Sequence, residues 1–536
     1  MAKKKKNTAP ETGGAAKAIM IWIVNIYVFL MLSVYPLFYH NKYYDMDTAK
    51  WGFFIRVSSV CAAILAGVFL WYIGSFAAKK ETKRLFQEAY HNLVLTDWLA
   101  FAYLIVCCLS TALTPYKKNV IWGADGWYMG LVAQISFVLI YFCVSRLWRW
   151  DSINLFLYLL AAFAVFSFGV IMRFGFDPME MYGNAEEYYV QHFLSTLGQV
   201  TWYSSYMCIM IPLGIIAYWQ AQKNWQKIAF GIFSVVGFMT AVTQNSDSAY
   251  MAMIGIFFML FWISFESDDC FLRFLETSIM ALGAFKVIGI LQKIYADRIV
   301  KLDRLSFFMS QSALTGVLLM VVILLYLLMR FYVYQKTQFH ITDLKKIRSV
   351  SLILLAAGMI AVAIYIWLNS TGRLPGKLAS ANSYLLFDDG WGNNRGVSWR
   401  CSLGAFCKEN ILQKLFGVGP DSFGEYIYLY YKADLDHVLG SHISQDCAHN
   451  EWLNTLINLG ILGLASYLGI FITSFKACMN EAKRHPYLYG IAIAIVAYFL
   501  HNFFCYQQII CTPTIFILMG MARSVIRFGY GDEETK

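Results

Sequence analysis

The chain has 536 residues; 59% are apolar, 17% aromatic and only 14% charged, with a formal net charge of +10. A soluble domain carries about a quarter charged residues, so this composition excludes a soluble enzyme on one anchor and a string of secreted modules. Nine prolines and 37 glycines exclude a low-complexity or collagen-like chain, and the long unbroken apolar runs exclude a transmembrane β-barrel, whose strands alternate.

The first 16 residues are polar and carry Lys3, Lys4, Lys5 and Lys6, with Lys17 following. The apolar run at 18–38 is long enough to stay as an anchor, and no small-residue cleavage site follows it, so no cleaved signal peptide is expected. Further runs fall near 52–76, 97–114, 128–145, 153–172, 202–219, 228–243, 248–265, 270–292, 306–329, 349–368, 450–475, 487–504 and 510–526. A membrane helix needs about 20 residues, so these predict an all-α, polytopic integral membrane bundle of about 12–14 transmembrane helices. Positive charge orients it. With the basic tail cytoplasmic, the loops holding Lys79, Lys80, Lys83 and Arg84, then Lys336, Lys345, Lys346 and Arg348, are cytoplasmic too. The net positive charge is thus a topology signal, and no nucleic-acid partner is expected. The chain divides into a cytoplasmic tail (1–17), an N-terminal bundle (18–368), an extracytoplasmic loop (369–447) between the eleventh and twelfth spans, C-terminal membrane helices (448–526) and a cytoplasmic tail (527–536).

Two charges fall inside spans, Arg56 and Lys286, each near enough to an end to snorkel. Ahead of the long loop, Lys293, Arg298, Lys301 and Arg304 run against the positive-inside trend, with Asp297 and Asp303 among them. Phosphate binding explains such a cluster; a helix of self-paired salt bridges explains it better.

The long loop carries two helix-like stretches. Ser398–Leu415 places Trp399, Leu403, Phe406, Ile411 and Leu415 at helical spacing and predicts one amphipathic helix on the membrane surface or over a cavity. Gly417-Val418-Gly419-Pro420 ends it as a turn. Ser422–Ala433 is strongly aromatic and suits the interface. Twelve cysteines are scattered with no CxxC pair, which speaks against structural zinc. Cys401, Cys407 and Cys447 either form a disulfide or stay free.

Arg395 lies on the extracytoplasmic side, where a guanidinium fork suits a diphosphate; the plain alternative is a loop arginine held by Asp388 or Asp389. His449 sits where the loop re-enters the membrane as a helix. A helix N-terminus disfavours imidazolium, and a neutral imidazole can accept a proton from an attacking hydroxyl; the alternative is an interfacial histidine bonded to backbone. Asp446 either orients that ring or caps the helix. There is no P-loop, no GxGxxG after a strand and no HExxH. Nearly no acidic residue falls mid-span, which weakens a proton-coupled transporter.

The C-terminal third resembles the O-antigen ligase and O-antigen polymerase family of polytopic glycosyltransferases. The likeness runs through Asn394-Arg395-Gly396-Val397-Ser398-Trp399, then Leu415-Phe416-Gly417-Val418-Gly419-Pro420-Asp421-Ser422-Phe423, then Ala448-His449-Asn450-Glu451-Trp452-Leu453 and Leu459-Gly460-Ile461-Leu462-Gly463. It weakens before about residue 390, where Gly198–Tyr203 and Thr243–Ser248 look like two earlier external turns. Members often carry an arginine where Asp247 stands here, so a second cation must come from elsewhere, with Arg400, Arg298 and Arg304 as unranked candidates.

The resemblance implies transfer of a glycan from undecaprenyl diphosphate to an acceptor hydroxyl on a glycan, lipid or protein. The reaction would take place at the outer face of the bacterial inner membrane, with no metal and no cofactor. His449 would be the base and Arg395 the diphosphate ligand, supported by Asp446, Asn450, Trp399 and Asp247. A ligase is preferred slightly over a polymerase; a flippase or transporter is the alternative of another class. Oligomeric state is left open.

Overall fold

The computed structural model describes residues 13–183, 186–334, 340–441 and 444–530; Lys3, Lys4, Lys5, Lys6, Lys336 and the last residues of the C-terminal tail lie outside the described residues. Among the described residues there are twenty α-helices. The first eleven are α1 (Gly14–Phe29), α2 (Met46–Ala78), α3 (Thr82–His91), α4 (Leu95–Leu113), α5 (Leu131–Leu147), α6 (Ser152–Arg173), α7 (Glu187–His192), α8 (Val200–Gln220), α9 (Asn224–Thr243), α10 (Asp247–Ser264) and α11 (Asp268–Ile294). They are followed by α12 (Arg304–Gln311), α13 (Ala313–Tyr334), α14 (Lys345–Ser370), α15 (Trp391–Lys408), α16 (Ile411–Phe416), α17 (Phe423–Leu439), α18 (Glu451–Glu481), α19 (Leu488–Asn502) and α20 (Thr512–Phe528). Among the described residues the strands are Phe193–Leu194 and Gly198–Gln199, paired antiparallel.

Among the described residues, eleven helices are long and apolar enough to cross a membrane, the first continuing from α1 to Leu37, and α5 and α19 are shorter apolar helices. With α20, which is buried along nearly its whole length, the bundle matches the polytopic all-α architecture expected from the apolar runs. Helices satisfy their own backbone groups, which is why this chain can be so apolar throughout. The centre of the bundle is α8, α19 and α20, where Met207, Ile211, Ile493, Ala494 and Phe516 are fully buried. By contrast, α2, α13 and α14 present apolar side chains outward, among them Leu70, Trp71, Leu324, Ile353 and Leu354. In a bilayer those faces meet lipid.

Three expectations change. The run at 306–329 is not one span: α12 stops at Gln311 and α13 starts at Ala313. The break is held by Lys286, whose Nζ donates to the carbonyls of Ser310 and Ser312 at 3.2 Å each, so this intramembrane lysine serves as a strut between helices. The predicted helix Ser398–Leu415 is two helices, because Asn410 caps a new one through a 3.0 Å bond from Gln413 N. The cluster Lys293–Arg304 is not a salt-bridged helix either: α11 ends at Ile294, and no ion pair joins these residues among the described residues. Asp303 instead caps α12, accepting from Ser306 N.

The loop helices form a second small core on one end of the bundle, with Val397, Cys401, Phe423, Tyr426 and Ile427 buried together. Cys401, Cys407 and Cys447 are free thiols. This unit is tied to the membrane helices by backbone. Helix α18 kinks at Gly460 (φ +69°), which frees carbonyls in the turn before it. Val418 N donates to Ile457 O (2.9 Å) and Gly419 N to Asn458 O (3.0 Å). The approach is so close that a Cβ on Gly417 would lie 2.2 Å from the Asn458 backbone, and one on Gly460 2.4 Å from that of Leu415. Two facing glycines therefore join loop to span.

Candidate functional site

The loop brings Arg395 and His449 to the same end of the bundle by two unusual backbone turns. Gly392, Asn393 and Asn394 are all left-handed (φ 59°, 60° and 66°), a conformation that L-residues other than Gly and Asn avoid. They deliver Arg395 at the start of the regular part of α15. Gly396 follows because a Cβ there would sit 1.8 Å from the carbonyl oxygen of Asp388. Arg395 then crosses to the loop between α19 and α20: its Nε donates to Phe504 O (3.0 Å) and its Nη1 to Gly392 O (2.6 Å). Among the described residues it has no ion pair, and its Nη2 has no bond, so its charge is uncompensated by any carboxylate in contact.

His449 is also left-handed (φ +48°), immediately before Asn450, which caps α18 by accepting from Trp452 N (2.9 Å) and Leu453 N (3.1 Å). The half-buried ring meets Tyr506 edge to face at 5.4 Å. Its Nδ1 faces Cys447 O at 3.4 Å and the Gln445 amide nitrogen at 3.2 Å. Burial, then the positive charge of Arg395, push its pKa down to about 4; both disfavour imidazolium. Behind the ring lies a cavity of about 20 Å³ lined by Asp421, Cys447, Glu451, Asn458, Tyr506 and Gln507.

Residues 302–468 match the family model described as O-antigen ligase. That segment of the chain is similar to the O-antigen ligase family. The matched segment runs from just before α12 into α18 and holds both Arg395 and His449. No curated protein matches the chain.

The other sequence candidates fare differently. Arg400 is taken up by two acids, Asp389 (2.8 Å) and Asp434 (3.1 Å); it staples α15 to α17 and is not brought to Arg395. Arg298 lies over the Phe176 ring at 5.7 Å, on the turn after α6, and no contact joins it to Arg395 or His449. Arg304 is exposed and lies within electrostatic reach of Tyr384, whose hydroxyl donates to Asp247 at 3.3 Å. Asp247, at the start of α10, in turn lies in the field of Arg395. Of the three cations, Arg304 is the one linked toward Arg395, through Tyr384 and Asp247. Asp446 neither caps α18 nor touches His449: it accepts from Ser444 Oγ (2.7 Å) and Trp127 Nε1 (3.3 Å). Trp399 packs into an aromatic group with Trp391, Phe503 and Phe504, the segment that receives Arg395.

Several neighbours are not evident in the sequence. Tyr506 and Phe504 come from a short loop with no motif. Gln445 precedes His449 by one helical turn, yet nothing marks it. Arg173 carried a usable signal, a charge closing an apolar run on the side poor in positive charge. It is fully buried and donates to the carbonyls of Thr243, Val190 and Gln191, fastening the turn that carries Asp247.

Proposed function

We propose that this protein transfers a glycan from undecaprenyl diphosphate to an acceptor hydroxyl at the extracytoplasmic face of the bacterial inner membrane. The observation that carries the reading is the convergence of a neutral histidine and an arginine without a carboxylate partner at the end of the bundle that bears the long loop. His449 takes the proton of the acceptor hydroxyl, the hydroxyl oxygen attacks the anomeric carbon, and the bond from that carbon to the diphosphate oxygen breaks. The departing diphosphate gathers negative charge, and Arg395 is placed to stabilise it, an effect that grows with the charge and so acts on the transition state. The lipid diphosphate is already an activated leaving group, so no nucleotide is required. The outward-facing apolar helices give the prenyl chain its surroundings.

The deciding measurement is the mass and chain length of lipid-linked glycan in cells lacking the protein. A ligase leaves long polymers on the prenyl diphosphate; a polymerase leaves single repeat units on the outer leaflet. Units retained on the inner leaflet would replace the enzyme reading with a transporter. His449→Ala, inserted normally, is expected to reproduce the deletion.

A further inference from the structure

Which ring nitrogen of His449 carries the proton decides whether it can act as a base toward the acceptor, and hydrogen-bond counting around Gln445 answers this. The Gln445 side chain is buried, and its backbone N–H is pinned by Tyr428 Oη at 2.9 Å. Its amide nitrogen has three neighbours: Cys447 O at 2.5 Å, Ser398 Oγ at 3.1 Å and His449 Nδ1 at 3.2 Å. The reverse amide orientation would set two carbonyl oxygens 2.5 Å apart, so the nitrogen faces Cys447 O. Ser398 spends its own hydrogen on Ala448 O at 3.1 Å, and therefore accepts from Gln445. An amide has two hydrogens, and both are now used. None is left for His449 Nδ1.

Two groups remain within reach of Nδ1, the Cys447 carbonyl at 3.4 Å and the Cys447 sulfur at 3.5 Å; a thiol is a weak donor and the carbonyl a strong acceptor with a second lone pair, so Nδ1 is the donor and the carbonyl its partner. The ring's other nitrogen, Nε2, has no bond to the protein among the described residues. We infer that Gln445 is a positioning residue, which fixes the Cys447 carbonyl and thereby holds His449 as the Nδ1–H tautomer with Nε2 open as the base. This rests on the assignment of His449 as base. It gives the histidine an orienting partner made of main chain, in place of the carboxylate of Asp446, which is engaged with Trp127 and Ser444.

The test reads the tautomer directly and separately from activity. Full-length protein carrying ring-labelled histidine is reconstituted in lipid, and its ¹⁵N solid-state spectrum is taken at pH 7, with His449 assigned by difference from His449→Ala. The expected result is a protonated Nδ1 and an unprotonated Nε2; a protonated Nε2 overturns the inference, on the wild-type protein alone. Gln445→Leu should give a mixture of tautomers and lower turnover about tenfold or more, with donor KM changed less than about twofold. A single tautomer and full turnover in that variant also overturn it. Cys447→Ala should keep the wild-type tautomer, because only main chain is used; a switch would assign the role to the thiol and sink the proposal. If His449→Ala transfers glycan normally while wild type shows Nδ1–H, the base reading falls and the tautomer assignment stands.

Discussion

At His449, burial and a neighbouring cation act in the same direction. Imidazolium is disfavoured twice, and the pKa falls from 6.5 to about 4. The free enzyme's acid limb in kcat/KM should therefore lie near pH 4, and loss of activity with a midpoint near 6.5 would mean that another group sets it. The same shift is a stability statement. As pH falls, the unfolded chain takes up this proton first, so the contribution is fully present above about 6.5 and is lost between 6.5 and about 4. Its size is about 2–3 kcal/mol. Thermal melts of wild type and His449→Gln at pH 7 and pH 5 check this: the variant should lose less stability on acidification. Arg395 is a different case, since its value lies in geometry. Arg395→Lys keeps the charge but loses the planar fork, in which separate nitrogens bond Phe504 O and Gly392 O and leave Nη2 unengaged; transfer should drop about 100-fold or more, and near-normal turnover would make Arg395 structural.

At the scale of elements, the site depends on how the loop is joined to α18. The facing glycines Gly417 and Gly460 leave no room for a Cβ, and both have positive φ. Gly460→Ala should reduce folded protein in the membrane or lower its melting temperature, at a cost of about 3 kcal/mol or more. A variant as stable as wild type would show that the crossing can open at little cost. Where α15 gives way to α16, Glu409 is buried with both carboxylate oxygens unpartnered, and burial pushes its pKa up to about 8. The unfolded chain ionises near 4.5, so the penalty grows as pH rises from about 4.5 and is complete by about 8. Glu409→Gln should stabilise the protein at pH 8 by about 2–4 kcal/mol and change little at pH 4.5, measured by thermal melts at the two pH values.

At the scale of the molecule, the proposed orientation, argued from positive charge, puts the long loop outside. A reporter fused after Lys432 should read external and one fused after Lys345 internal; the reverse would overturn the orientation, and the proposed chemistry with it. Most of the architecture was legible in advance. Apolar runs of about 20 residues translate directly into helices, because in lipid each helix must satisfy its own backbone. Arg395 and His449 stand out in the sequence through residue type and position in the long loop, and their part in the site is the proposal made above. Their neighbours do not stand out. Gln445, Tyr506 and Phe504 lie in short connections without periodicity, and their roles arise from contacts between segments far apart in the chain. The failures have the same origin. Asp446 stood at a plausible spacing from His449, but a left-handed turn and an Asn450 cap send it to Trp127. Arg400 had the right charge, but Asp389 and Asp434 neutralise it.

By itself, the sequence determined that this protein is a polytopic helical bundle with one large loop, because hydrophobicity and length act locally and need no partner. It also singled out Arg395 and His449 as the candidates on which the proposed chemistry rests. Tertiary structure alone decided that Arg395 has no carboxylate partner among the described residues, that burial and Arg395 disfavour imidazolium at His449, and that Arg400 is taken up by two acids. Charge compensation and hydrogen-bond satisfaction depend on distances across the fold, and those appear only when separate segments meet.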